Sequence, residues 1–211
     1  MSLTVLHESA SRRGSCALIA IKARNRCKTR LAGVLTPSAR MELVRAMLSS
    51  VVHAARNAQT VHSVLVISPE RDTLPADIPV LADTGESLNS ALMQAHRVVR
   101  EFGCHEVVVL PADLPEIRPA DIDELVRAGR AGGCAIAPDA AGVGTNGLCL
   151  TTPAPFQFQF GSDSCGLHVR EARRLGLNPR VLRLAGLELD VDTAADLERM
   201  EGQPWLTRLQ A

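Results

Sequence analysis

A chain of 211 residues, 46% of them apolar and 22% charged, suits one α/β domain with a single buried core better than two. Lys plus Arg balance Asp plus Glu at 23 each, so no net charge draws the chain to nucleic acid or to an anionic membrane. With no Tyr, one Trp (Trp205) and four Phe, it also lacks the aromatic platforms on which single-stranded nucleic acid stacks.

No apolar run is long enough to span a bilayer, and MSLTVLHESASRRGSC lacks the apolar segment of a signal peptide, so a reduced, cytoplasmic protein is expected. Cys16, Cys27, Cys104, Cys134, Cys149 and Cys165 are scattered without a C-x-x-C pair. They read as small core thiols rather than zinc ligands or a disulfide framework.

In chain order, CALIAI (16–21) is a short apolar run ending at Lys22 and reads as a first, central strand. Thr36-Pro37 starts a helix, with Thr as cap and Pro in the first turn, and Met41, Val44, Met47, Leu48, Val51, Val52 and Ala55 follow at helical spacing. VHSVLVIS (61–68) and IPVLAD (78–83) read as strands. Ser87 caps a helix whose inner face is Leu88, Ala91, Leu92, Ala95, Val98 and Val99. EVVVLP is a fourth strand, followed by a helix from Pro119; CAIAPD and GLCLTT (147–152) are further strands. Ser162 to Leu175 reads as helix, PRVLRL (179–184) as strand, and Asp196 lies in a short terminal helix. Strands that alternate with helices and are mostly continuous apolar runs imply a parallel or mixed sheet covered on both faces.

Such sheets bind ligands beyond the carboxyl ends of their strands. The polar residues there are Lys22, Ser68, Asp83 and Asp113, with Asp190 and Asp192 after the last strand. KARNRCKTR (22–30) carries Lys22, Arg24, Arg26, Lys28 and Arg30 with no acid among them, which suits a triphosphate; its plainer reading is a solvated basic loop. Asp113 stands in P-A-D-L-P, where Pro111 ends the strand's hydrogen bonding and Pro115 keeps Leu114 extended. Asp190 and Asp192 are two apart, so an extended chain points both to one side. Three such carboxylates repel unless a divalent cation lies between them, and hard oxygen ligands favour Mg²⁺. A helix cap before AADLERM is the alternative for Asp192-Thr193. GVGTNGL (142–148) and FGSDSCGLH (160–168) offer backbone N–H groups, hydroxyls and a helix start fit for an anion, against plain capping by Ser162 or Ser164. His168 lies one turn further on, where a lone helical His is more often packed or solvent-facing than catalytic. No serine–histidine–acid triad, G-x-G-x-x-G or Walker A motif is present.

Taken together, KARNRCKTRLAG, LADTGESLNSAL, VVVLPADLP, GTNGL, FGSDS…H and LELDVDTAADL resemble the phospholactate guanylyltransferase family of coenzyme F-420 biosynthesis, over roughly residues 16–198. The resemblance implies a single-domain nucleotidyltransferase fold, GT-A-like and Rossmann-like: a three-layer sandwich around a mixed, mostly parallel sheet. Residues 1–15 would be a variable N-terminal extension and 16–211 the guanylyltransferase domain. By position, Lys22, Lys28 and Arg30 would meet the triphosphate of GTP, and Asp83, Gly85 and Asn89 the nucleoside. Asp113, Asp190 and Asp192 would hold Mg²⁺; Thr145, Gly161 and Ser164 would hold the phosphorylated acid. Asp113, Lys28 and Arg30 would carry catalysis. Thr29 stands where the family often has Ser, and Cys165 where an aromatic is common, which bears on the acid pocket.

The resemblance also implies the reaction. A substrate phosphate is largely a dianion near neutrality, its second pKa being about 6, so it needs no base to attack the α-phosphate of GTP. Pyrophosphate leaves and a GMP–phosphoacid anhydride remains, to be received by the next transferase of the pathway. The acid would be 3-phospho-D-glycerate, phosphoenolpyruvate or 2-phospho-L-lactate. Another nucleotidyltransferase of the same fold, for a sugar phosphate or molybdenum cofactor, is the nearest rival; a non-catalytic nucleotide-binding protein is the rival of a different class. Whether the chain forms a homodimer is left open.

Overall fold

The computed structural model describes residues 15–21, 28–71, 74, 77–83, 87–104, 106–151 and 155–200. Its centre is β1 (Ser15–Ala20), a run of small and branched apolar residues with Cys16 to Ile19 wholly buried. It pairs in parallel with β2 (Val61–Ser68) on one side and β4 (Val107–Pro111) on the other. A strand between two others, covered on both faces, needs apolar side chains at every position, as Cys16 to Ile19 supply. The sheet continues through β3 (Val80–Ala82), β5 (Cys134–Pro138), β6 (Thr145–Leu150) and β7 (Arg180–Val181) in the order β3-β2-β1-β4-β6-β5-β7. Only β6 among these strands runs against the rest, pairing antiparallel with both β4 and β5.

That reversal comes from a tight connection. Asp139 accepts the Val143 N–H on its carboxylate at 2.9 Å and the Gly142 N–H on its carbonyl at 2.9 Å, and Gly142 takes φ 78°, which glycine adopts without strain. The chain turns straight back, so the first residues of β6 lie beside the last residues of β4.

Helices cover both faces. α1 (Pro37–Asn57) is capped by the Thr36 hydroxyl, which accepts the Ala39 N–H at 3.2 Å; α2 (Leu88–Glu101) is capped by reciprocal bonds between Ser87 and Ser90. α1 and α3 (Pro119–Gly132) bury Leu48, Val51, Val52, Ile122, Leu125 and Val126 on one face of the sheet. On the other, α2 and α4 (Ser164–Arg174) meet Leu18, Ile67, Val109 and the rings of Phe156 and Phe158. α5 (Ala185–Glu188) and α6 (Ala194–Glu198) close the described chain. The expected three-layer arrangement around a mixed, mostly parallel sheet is present. Cys16, Cys134, Cys149 and Cys165 are buried in these cores.

One buried charge ties the layers together. Asp123 of α3, 4% exposed, accepts the Gln59 N–H (3.2 Å), the Thr60 N–H (2.8 Å) and the Thr60 hydroxyl (2.7 Å) at the turn into β2. Burial by itself raises its pKa, but these donors outweigh it and hold the carboxyl below the usual range. Asp123→Ala strands three donors and is expected to lower stability by about 3 kcal/mol in urea unfolding. A depressed folded pKa means this stabilisation is present above the unfolded value of about 3.9 and is lost as pH falls below it. Wild type and variant should therefore converge in Tm as the pH is taken below about 4.

Candidate active site

A cleft of about 650 Å³ opens at the carboxyl edge of the sheet. Its floor is made by the ends of β1 (Ala20, Ile21) and β4 (Leu110, Pro111), and its flanks by the segments that follow or precede strands there.

Local packing explains why each acidic residue faces it. Ala112 and Leu114 are buried, so the extended residue between them turns its side chain to the opposite side, and Asp113 lines the cleft. The same alternation governs 189–192. Leu189 and Val191 sink into a small apolar cluster with Leu31, Leu43, Met47, Leu197 and Met200, and Asp190 and Asp192 emerge into the cleft. Leu31 in that cluster also anchors the short turn Thr29–Leu31, which brings Lys28 and Arg30 to the same place. Thr193 caps α6 by accepting the Asp196 N–H, while the Asp196 carboxylate takes the N–H groups of Asp192 (3.0 Å) and Thr193 (2.8 Å). The Asp192 carboxylate therefore turns to lysine and arginine.

Lys28 joins these pieces. Its Nζ donates to Asp113 Oδ2 at 2.5 Å and to Asp192 Oδ1 at 2.9 Å, with the side chain only 7% exposed, and Arg30 Nη1 stands 4.0 Å from Asp192 Oδ2. Burial pulls the lysine pKa down, but the charges and hydrogen bonds of Asp113 and Asp192 more than offset it, and the ammonium is held above its ordinary value. At Asp190 burial comes first and Asp113 second in raising the carboxyl's pKa, with Asp192 adding to them. The Asn146 amide, donating at 3.3 Å, opposes the rise.

The opposite flank carries Gly144, Thr145, Asn146, Gly161, Ser162 and Ser164. Gly161 takes φ 134°, a backbone conformation that favours glycine, and lines the cleft just before α4 begins at Ser164. The preceding segment, FQFQF (156–160), is held without strand partners among the described residues by three side chains. Glu171 accepts the Gln157 N–H (2.9 Å), His168 Nε2 accepts the Gln159 N–H (3.0 Å), and Asn89 both accepts the Phe160 N–H (2.8 Å) and donates to its carbonyl (3.1 Å).

Of the residues singled out in the sequence, Lys28, Arg30, Asp113, Thr145, Gly161, Ser164, Asp190 and Asp192 line this one cleft. Asn89 engages its amide on the Phe160 backbone. Asp83 follows β3, its N–H on the Ser68 carbonyl at 2.9 Å, and is not among the lining residues. Lys22, Arg24, Arg26 and Gly85 lie outside the described residues. Sequence reasoning passed over Asn146, whose signal was a polar side chain inside an otherwise apolar strand, and Asp139.

The carboxylates have the donor chemistry of a hard divalent cation. Among the described residues, however, no three acidic, histidine or cysteine side chains are grouped around one point for an ion, and the Lys28 ammonium stands between Asp113 and Asp192.

The family model described as guanylyl transferase, CofC-like, matches residues 15–202. The chain belongs to that family. It is 38% identical over 190 residues to the phosphoenolpyruvate guanylyltransferase of Rubrobacter xylanophilus, covering 88% of this chain and 92% of the relative. It is 39% identical over 191 residues to the 2-phospho-L-lactate guanylyltransferase of Methanothermobacter thermautotrophicus, covering 87% and 82%. Among solved structures, a protein of Desulfovibrio desulfuricans G20 assigned as a nucleotide-diphospho-sugar transferase superposes with TM-score 0.75 at 18% identity, covering 92% of this chain and 93% of that one. Rv0371c of Mycobacterium tuberculosis H37Rv, solved in complex with manganese, does so with TM-score 0.57 at 20% identity, covering 91% and 100%. The likeness to these structures is one of fold. As a CofC-like guanylyl transferase the chain is a nucleotidyltransferase. None of the helices in its described residues is long and apolar enough to cross a membrane.

Proposed function

We propose that this CofC-like protein transfers the GMP unit of GTP to the phosphate of a small phosphorylated carboxylic acid in coenzyme F-420 biosynthesis, in the cytoplasm, releasing pyrophosphate. The observation that carries the proposal is the division of the cleft. Lys28 and Arg30 stand with Asp113 and Asp192 on one flank, a hydroxyl- and glycine-lined flank runs into the N-terminus of α4 on the other, and Asp190 bridges to it through the Asn146 amide. Two anions must meet there, the α-phosphate of GTP and the acid's phosphate.

Lys28 and Arg30 would take the triphosphate, and the Thr145 hydroxyl, Gly161 and Ser164 the phosphorylated acid; all five line the cleft. Asp83, Asn89 and the glycine at position 85 are assigned to the nucleoside, and Lys22 to the triphosphate. Asp113, Asp190 and Asp192 would hold Mg²⁺, which supplies charge neutralisation for the phosphates it meets. Burial first, and then the charges of Asp113 and Asp192, raise the pKa of Asp190, and a cation held among them would relieve the repulsive part. The manganese complex of Rv0371c supports a divalent ion on this fold. No general base is required, because the attacking phosphate is already deprotonated near neutrality. The residues align two substrates and screen their charges.

The names of the relatives, phosphoenolpyruvate and 2-phospho-L-lactate guanylyltransferase, support a small phosphorylated acid of that kind, and 3-phospho-D-glycerate shares the chemistry. Each of the three, with GTP, CTP, UTP and ATP and with sugar phosphates as controls, should be followed by pyrophosphate release and product mass. GTP with one of the three acids is expected to give the fastest turnover. A sugar phosphate that outperforms all three, or GTP binding without pyrophosphate release, overturns the proposal.

A further inference from the structure

His168 is wholly buried on α4, between the rings of Phe160 (centroids 4.7 Å apart) and Phe156 (5.8 Å). Each ring nitrogen has one polar neighbour. Nε2 faces the Gln159 backbone N–H at 3.0 Å, and Nδ1 faces the Thr145 hydroxyl at 3.0 Å.

The chemistry of these partners decides the tautomer. A backbone N–H can only donate, so Nε2 must present a lone pair and carry no proton. A neutral imidazole then has its one proton on Nδ1, and that proton goes to Thr145 Oγ1. The threonine oxygen is thereby an acceptor toward His168. Its own hydrogen must point elsewhere, and Thr145 lines the cleft.

We propose that His168 is a positioning residue that locks the Thr145 hydroxyl into donating toward an anion in the cleft. A threonine hydroxyl without such a partner rotates and can offer a lone pair to an incoming phosphate or carboxylate, which repels it. With His168 donating from behind, the hydroxyl meets the anion proton-first. The imidazolium form would break the arrangement by placing a second proton against the Gln159 N–H. Burial disfavours that form and lowers the His168 pKa to about 4, with the Glu171 carboxylate working weakly the other way. Glu171 itself is engaged by Arg174 at 2.6 Å and by the Gln157 N–H. The locked hydroxyl is therefore unchanged across physiological pH. The same His168 bond to Gln159 fixes the segment leading to Gly161, so one side chain orders both walls of this flank.

This inference rests on the assignment of Thr145 to the phosphorylated acid, and the experiment separates the two. In the wild-type protein with ¹⁵N-labelled histidine, long-range ¹H–¹⁵N correlation should show His168 neutral with the proton on Nδ1 from pH 5.5 to 8; a proton on Nε2, or an imidazolium, overturns the lock. In steady-state assays T145V and H168F are each expected to raise KM for the acid about 10- to 100-fold, as befits one hydrogen bond to a charged group. KM for GTP should stay within about twofold, and the double variant should be no worse than the poorer single one. H168N, whose side-chain N–H can take the place of Nδ1–H, should recover most of the loss. An unchanged acid KM in T145V overturns the assignment of Thr145. A raised KM in T145V with none in H168F, or additive effects in the double variant, overturns the role of His168 alone.

Discussion

Asp113→Asn is expected to lower kcat for GMP transfer about 100- to 1,000-fold, the scale on which one charged or donor group matters to a transition state, while leaving the protein folded. The substitution keeps the shape of the side chain between buried Ala112 and Leu114, so the packing that aims residue 113 into the cleft survives. Lys28 keeps its 2.9 Å bond to Asp192, and Asp190 loses a repelling neighbour, so Tm should hold or rise slightly. What disappears is one of the three carboxylates proposed to hold a cation where two phosphates approach. Pyrophosphate release in a stopped assay, beside a thermal melt, separates lost chemistry from lost structure. Turnover within about tenfold of wild type would remove Asp113 from the catalytic machinery.

Much of this site could be read in the sequence because its residues follow strands whose patterns are strong. β2 spans 61–68 as expected, β1 differs by a residue at each end, and both Thr36 and Ser87 cap their helices. The alternation in L-D-V-D was enough to put Asp190 and Asp192 on one side, because Leu189 and Val191 have an apolar cluster to enter. Elements that depend on distant pairing were less legible. β6 begins at Thr145 rather than Gly147 because Pro138 of β5 pairs there, burying a Thr-Asn pair whose own hydropathy argues against a strand. PRVLRL yields only Arg180–Val181, both exposed at the sheet's edge, and α4 starts two residues late because Asp163 takes a left-handed φ of 55°. The FQFQF segment has strand-like alternation yet is held by Asn89, His168 and Glu171, which lie 71, 9 and 14 residues from their partners. No local pattern could have announced that. Nor could it announce Lys28 between two aspartates, 85 and 164 residues away.

That lysine carries the second large effect: Lys28→Met should bind Mn²⁺ without nucleotide about 10- to 100-fold more tightly than the wild type, while losing affinity for GTP. In the wild type a divalent ion at Asp113 and Asp192 competes with the Lys28 ammonium and its two charge-assisted bonds, each worth about 1.5–3 kcal/mol when made to a charged group. Methionine keeps the length and apolar stem of the side chain but removes this competitor. It also leaves Asp113 and Asp192 without the ammonium between them, so in EDTA the variant should melt below the wild type, and added Mn²⁺ should raise its Tm by the larger amount. Lys28 holds a left-handed backbone, φ 51° and ψ 39°, at the start of the turn that Leu31 anchors, a conformation that costs a non-glycine residue about 1–2 kcal/mol. Its two bonds to the acids accompany that strained backbone; on the proposed function, the triphosphate of GTP would offer the lysine a new anion and a cation would take the aspartates. Titration of Mn²⁺ by electron paramagnetic resonance and melts with and without the ion test the exchange independently of turnover. An equal or smaller Mn²⁺-induced rise in Tm for Lys28→Met would show that the lysine and the cation do not compete for these carboxylates.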